Sequence, residues 1–165
     1  MKSIFAVFSE IDRARDAVDE LIDDGYKQEQ MNSVVQEGTA KSFLDVNRPE
    51  MKVEMTDALG GRRVRGLDAL FGGQQAVFTP DTGKVLAAGP AATIMAKASG
   101  GTGTAAQGLE DALRTFAVPD NTAHTYQQKV SGGSLLFWMR VEDEEVYEAV
   151  SVMKSHQGAD ILTLQ

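Results

Sequence analysis

The chain has 165 residues, enough for one domain with its own hydrophobic core. Hydrophobic residues make up 42% of it and charged residues 24%, which is typical of a globular domain and excludes a disordered chain. The net charge of −8 disfavours non-specific binding to nucleic acid or anionic membranes, and the absence of cysteine excludes disulfides and thiolate metal sites.

The apolar segments are too short to direct the chain into a membrane. The longest uncharged run, Val85 to Ala96, has about twelve residues, whereas a membrane-spanning helix needs about 20. The apolar residues near the N-terminus are interrupted by Glu10, too early for the core of a signal peptide. We therefore expect a cytoplasmic protein with no membrane span and no nucleic-acid partner.

Residues 1–36 predict a β-α-β unit. Ile4 to Phe8 is a continuous apolar run, typical of a strand buried on both faces. From Ile11 to Ile22 apolar residues recur at helical spacing, and Gly25 suits the position just after a helix. Met31 to Gln36 predicts a half-buried second strand.

Residues 37–132 form a glycine- and alanine-rich insert that we predict to be mainly helical. Between Ala76 and Ala88, two apolar pieces flank a turn signal at Pro80 to Gly83, which predicts a β-hairpin. The apolar spacing from Ala105 to Phe116 predicts a helix, and Pro119 can open another.

Residues 133–165 repeat the pattern of the first unit. Leu135 to Val141 is nearly all apolar and predicts a central strand. Glu142 to Glu145 favours a helix start, since carboxylates are stabilised at the positive end of the helix dipole. Gly158 is predicted to end this helix, and Asp160 to Gln165 predicts a last strand.

Together the two units predict an α+β fold of the ferredoxin-like, split β-α-β type. The two first strands would lie in the middle of a four-stranded antiparallel sheet, with the second strands at its edges and both helices on one face. The other face needs a cover, supplied either by the insert or by a second subunit. The chain is then a single domain covering residues 1–165.

Several sequence words, in order, carry a family resemblance: VFSEIDRARDAVDELIDDGY, GKVLAAGPAA, ALRTFAVPDNTAHTYQQKVSGGSLLFWMRVEDEE and HQGADI. With these words the chain resembles the bacterial general stress, or heat-induced stress, protein family. The resemblance covers both ends and roughly residues 83–133. It implies a stress-associated bacterial protein with a β-α-β unit at each end and no established activity. Residues 40–75 depart from the family, because arginines stand where relatives tend to be glycine-rich and apolar.

The insert holds the candidate anion site. The glycine stretch at residues 99–108 lacks the lysine of a Walker loop and the spacing of a dinucleotide fingerprint, so a turn between helices is favoured over anion binding. The arginines at positions 48–65 can hold phosphate or carboxylate, although a solvated loop or a subunit contact is favoured. The candidate residues are Arg62, Arg63, Arg65, Gly101, Thr102 and Gly103, with Arg48 nearby in the sequence.

His124 and Tyr126 are candidates for a specific role, because they stand in a word shared with the family. Residues two apart on a helix point in different directions, so packing or capping is favoured over ligand binding. Trp138 is predicted to lie in the core. The sequence contains no Gly-x-Ser-x-Gly elbow and no metal-ligand spacing, so we expect no catalytic residue, metal or cofactor.

These observations predict a non-enzymatic protein that acts through self-association or a protein partner. A homo-oligomer is expected, with a dimer favoured, because an uncovered sheet face or edge invites pairing. The alternative is a small-molecule binding module for a phosphate- or carboxylate-bearing ligand, held by the arginines and the glycine stretch.

Overall fold

The computed structural model describes residues 1–43, 67, 71, 77–79, 83–90 and 108–165. The strands are β1 (Lys2–Phe8), β2 (Met31–Gln36), β3 (Val77–Thr79), β4 (Gly83–Ala88), β5 (Leu135–Val141) and β6 (Ala159–Leu164). The helices are α1 (Ile11–Asp23), α2 (Glu37–Phe43), α3 (Leu109–Thr115), α4 (Asp120–Ser131) and α5 (Val146–Ser155). Short 3₁₀ helices at Gln28–Gln30 and Asp143–Glu145 precede β2 and α5.

The six strands form one sheet in the order β3-β4-β2-β5-β1-β6, and all neighbours are antiparallel. The predicted α+β class is therefore confirmed. The predicted hairpin is confirmed as well, because Val77 pairs with Val85 and Thr79 with Gly83. The sheet has six strands rather than four, since this hairpin adds β3 and β4 beside β2.

The position predicted for β2 is wrong. Met31 to Val35 are all buried, so the strand is covered on both faces rather than half exposed. It is not an edge strand either, because β4 pairs with the side that faces away from β5, with Val34 opposite Ala87. β6 does lie at an edge, and its residues are exposed or half-buried.

Helices α1 and α5 cover one face of the sheet, as the repeat pattern predicts. The strands contribute alternate residues to this face, including Ile4 and Phe8 of β1 and Phe137 of β5. Leu21 of α1 and Met153 of α5 pack against them with no exposed surface. Burial of each large apolar side chain contributes about 1.5–3 kcal/mol relative to leaving it in water.

Helices α3 and α4 cover the opposite face. The apolar sides of the two helices and the residues on this face of the strands form one buried cluster. The cluster contains Leu109, Ala112 and Leu113 of α3, Ala123, Tyr126 and Val130 of α4, and Phe5, Val7, Val34, Leu136 and Trp138 of the strands. Both helices belong to the insert. The sequence left open whether the insert or a second subunit covers this face of the sheet, and the structure has the insert there. The rings of Tyr126 and Trp138 both stack on Phe5, with centroids 6.0 and 5.2 Å away.

Helix α1 ends as its sequence predicts, at a glycine in left-handed conformation. Gly25 has φ +105°, its N–H donates to the carbonyl of Ile22, and the N–H of Tyr26 donates to that of Leu21. This pair of hydrogen bonds satisfies the last carbonyls of the helix. Helix α5 ends in the same way, but its left-handed residue is Gln157 (φ +67°), one residue before the predicted Gly158.

Candidate functional site

The candidate anion site lies outside the described residues. This holds for Arg62, Arg63, Arg65, Gly101, Thr102 and Gly103, and for Arg48. Gly108, the first described residue after this stretch, precedes α3 with φ +128°. The anion site therefore stays a prediction.

His124 lies on the exposed side of α4 and connects that helix to α3. Its Nδ1 is 2.7 Å from Oε1 of Glu110, so the imidazole N–H donates to the carboxylate. Glu110 also accepts from Arg114, and Arg114 contacts Asp111 and, at 3.1 Å, Asp120. The arginine is surrounded by carboxylates from both helices, an arrangement that holds α3 and α4 together.

The contact between His124 and Glu110 has no signal in the sequence, because the two residues are fourteen positions apart on different helices. Within the part of the chain that the structure describes, no three His, Cys, Asp or Glu side chains come together in a way that could hold a metal ion. The carboxylates of Glu110, Asp111 and Asp120 are instead paired with the guanidinium of Arg114.

Tyr126 points away from His124, as expected for residues two apart on a helix, and is fully buried. Its hydroxyl donates to the backbone carbonyl of Asp160 at 2.6 Å. Burial, and secondarily the nearby Asp160 carboxylate, raise the pKa of Tyr126 well above its usual range. The phenol therefore stays protonated and acts as a hydrogen-bond donor.

The carbonyl that Tyr126 binds lies in a β-bulge. On β1 the pairing steps two residues, from Phe5 to Val7, while on β6 it steps three, from Leu162 to Ala159. Asp160 lies in this longer step, and its backbone has the left-handed conformation (φ +51°). A bulge removes backbone groups from the ladder, and Tyr126 satisfies one of them. This hydrogen bond fastens α4 to the edge of the sheet.

The outer edge of β6 is one candidate interaction surface. β6 is the last strand of the sheet and pairs only with β1 among the described strands. Ile161 packs partly against the core under α1 and α5, while Leu162 and Leu164 pack against the core under α3 and α4. Thr163, in the middle of these residues, is exposed.

The second candidate is an open groove of about 520 Å³ along the outer side of α5. It is lined by Lys2, Asp143, Val146, Tyr147, Val150, Ser151 and Lys154. Sequence reasoning missed this groove because its lining joins the first residues of β1 to a helix more than 140 positions later. The signal present in the sequence is Tyr147, an aromatic residue on the polar side of a predicted helix.

Comparisons with known proteins give no identification: no family model, curated protein or solved structure matches the chain. Within the described residues, no helix combines the length and the apolar character that crossing a membrane requires.

Proposed function

We propose that this chain is a non-enzymatic, stress-associated protein that acts by self-association, and that two copies pair through their β6 strands. The observation that carries the proposal is the outer edge of β6. No described strand pairs with it, and Ile161 to Gln165 have no charged side chain. An uncharged, unpaired edge is a template for pairing with another strand.

Natural proteins protect edge strands with charges or bulges, and β6 has both only in its first half. Asp160 and the bulge stand there, and the regular pairing with β1 covers Leu162 to Leu164. Two β6 strands related by a two-fold axis run antiparallel, so Thr163 would lie close to Thr163 of the second copy. The half-buried Ile161 and Leu162 would then extend both apolar cores across the interface.

The fold supports the finer expectation from the sequence. We infer that the four strands of the terminal repeats, in the order β2-β5-β1-β6, form a ferredoxin-like unit with α1 and α5, to which the β3-β4 hairpin adds two strands. The stress-associated role and the bacterial source rest on the resemblance of the sequence words, and the cytoplasmic setting rests on the short apolar runs of the sequence. A non-enzymatic role is supported by the contacts of His124 and Tyr126, both of which join elements of the fold.

The pairing is tested by light scattering coupled to size exclusion at tens of micromolar protein. Thr163→Lys places two ammonium groups near the two-fold axis, and like charges facing each other destabilise strand pairing. We expect a dimer for the wild type and a monomer for Thr163→Lys. Because Thr163 is exposed, the variant keeps its fold, and burial of the single tryptophan, Trp138, checks this by fluorescence.

A charge exchange makes the test specific. Thr163→Glu alone should also be monomeric, whereas an equimolar mixture of Thr163→Lys and Thr163→Glu should recover the dimer. Thr163→Val is the matched control and should stay dimeric, since it replaces the hydroxyl by a methyl group of similar size and adds no charge. A monomeric wild type, or a Thr163→Lys variant that still dimerises, would contradict pairing through β6.

The alternative function, a small-molecule binding module, is favoured by one described feature, the groove beside α5.

A further inference from the structure

The groove follows one side of α5. Tyr147, Val150, Ser151 and Lys154 have the spacing i, i+3, i+4 and i+7, which places them on one side of a helix. Ala149, Val152 and Met153 occupy the other side and are buried against the sheet. Lys2 of β1 and Asp143 close the end near the start of the helix. From Tyr147 to Lys154 the groove extends about 10 Å along the helix axis.

The middle of the groove is apolar. Val146 and Val150 are half-buried and pack on the core beneath α5, and the Tyr147 side chain lies beside them. Tyr147 is 86% exposed, one of two large hydrophobic residues exposed in the described part of the chain. The other is Met1, whose amino group contacts Asp143 of the groove at 3.1 Å. The middle of the groove therefore offers apolar surface on which the body of a ligand can lie.

The ends of the groove are cationic. Lys2 stands near the start of α5 and Lys154 in its last turn, and neither forms an ion pair with the described residues. The groove's one carboxylate, Asp143, already accepts from the N-terminal amine. An apolar middle with a cation at each end is complementary to an apolar ligand that carries a negative group.

We propose that this groove binds a free anionic amphiphile, a molecule with an alkyl or aryl body and one carboxylate. The body lies on Val146, Tyr147 and Val150, and the carboxylate pairs with Lys2 or Lys154. The volume of about 520 Å³ is in the range of small-molecule sites. A free molecule fits better than the surface of an anionic bilayer, since the net charge of the chain repels such a surface.

The probe is decanoate below its micellar concentration, titrated into the full chain labelled with ¹⁵N. We expect saturable shifts of amide signals from α5 and the start of β1. Decanol, which has the same chain without the charge, should bind about two- to fivefold more weakly, as expected for the loss of one exposed ion pair. Acetate, which has the charge without the chain, should bind at least about fivefold more weakly. Binding of decanol as tight as that of decanoate would overturn the role of the lysines.

Variants locate the site. The double variant with Lys2→Gln and Lys154→Gln should raise the dissociation constant about two- to fivefold, as expected for the loss of one exposed ion pair. Lys129→Gln is the matched control, an exposed lysine on α4 across the sheet, and should change nothing. Tyr147→Ser, also at an exposed position, should weaken binding about fivefold or more.

Three results would overturn the proposal. The first is the absence of saturable shifts. The second is shifts centred away from α5, or equal affinities for the double lysine variant and the control. The third is binding to phosphatidylglycerol vesicles without binding to monomeric decanoate, which would assign the groove to a lipid surface instead.

Discussion

The C-terminal ends of α3 and α5 carry residues that a glycine should replace with a gain in stability. Ala117 (φ +69°) and Gln157 (φ +67°) both lie in the left-handed region, where a Cβ costs about 1–2 kcal/mol. At each end the following residue closes the turn, with Val118 N–H donating to Leu113 at 3.1 Å and Gly158 N–H donating to Met153 at 2.8 Å. These hydrogen bonds hold the strained residue in place.

The expected gain follows from two opposing contributions. Replacement by glycine removes the strain of about 1–2 kcal/mol but adds about 0.4–1 kcal/mol of conformational freedom to the unfolded chain. Ala117→Gly and Gln157→Gly should therefore each raise the free energy of unfolding by about 0.5–1 kcal/mol. The two sites lie on helices that cover opposite faces of the sheet, so the double variant should gain the sum. For a chain of this size, each kcal/mol raises Tm by about 2–4 °C.

Urea unfolding followed by Trp138 fluorescence measures the effect, since that residue is the single tryptophan and is 2% exposed in the folded protein. Gln157→Ala is the matched control: it removes the exposed side chain but keeps the Cβ, so it should gain nothing. Gly25→Ala is the reverse change at α1, where a Cβ would meet nothing within 4 Å, and it should lose about 1 kcal/mol through φ alone. Equal gains from Gln157→Ala and Gln157→Gly would refute the argument from backbone strain.

Three further changes test other parts of the fold. Tyr126→Phe removes the hydrogen bond to Asp160 and should cost about 1 kcal/mol in urea unfolding. The raised pKa of Tyr126 also means that above about pH 10 the unfolded chain releases its proton first, so wild-type stability should fall by up to about 1.4 kcal/mol per pH unit. In Tyr126→Phe the free energy of unfolding should fall less steeply at alkaline pH. Part of the fall should remain because Tyr26 also has a raised pKa, caused by burial and by Glu148. An unchanged alkaline slope would contradict this assignment. Gly89→Ala places a Cβ 2.2 Å from the carbonyl oxygen of Met31 and should cost more than about 2 kcal/mol, seen as a lower Tm. His156→Ala removes the contact of Nε2 with Glu20, 2.5 Å away, and a double-mutant cycle with Glu20→Gln should give a coupling below about 1 kcal/mol.

The elements that the sequence predicts well are those whose signal is local. The apolar runs at Ile4 to Phe8 and Leu135 to Val141 indicate strands buried on both faces, and the structure has them as the paired strands β1 and β5. The helical spacing after Ile11 and the glycine at position 25 define α1 and its end. Each of these features depends on residues within a few positions of one another, so periodicity alone finds them.

The features that the sequence missed depend on contacts between distant segments. Nothing in Met31 to Gln36 shows that β4 returns to pair with it, and the alternation of polar residues there indicated an exposed face that the fold instead buries. Asn32 and Ser33 are buried polar residues, and the Ser33 hydroxyl donates to the carbonyl of Leu136 on the neighbouring strand. A polar residue whose partner lies on another strand looks like a solvent-facing residue in a linear pattern.

The coverage of the sheet decides which surfaces remain for interactions. An open sheet with aromatic residues on its outer face can stack nucleic-acid bases, and Phe5 and Trp138 lie on adjacent strands of such a face. Here α3 and α4 close that face, and the ring of Tyr126 stacks on Phe5, so these aromatic rings are not open to a base. Because α1 and α5 close the other face, the surfaces of the described part of the chain that remain for partners are the outer edges of β6 and β3 and the outer sides of the helices. The self-association and ligand proposals use these two kinds of surface. Thr163→Lys should impair only self-association, and the double variant with Lys2→Gln and Lys154→Gln should impair only ligand binding, so the two changes separate the proposals.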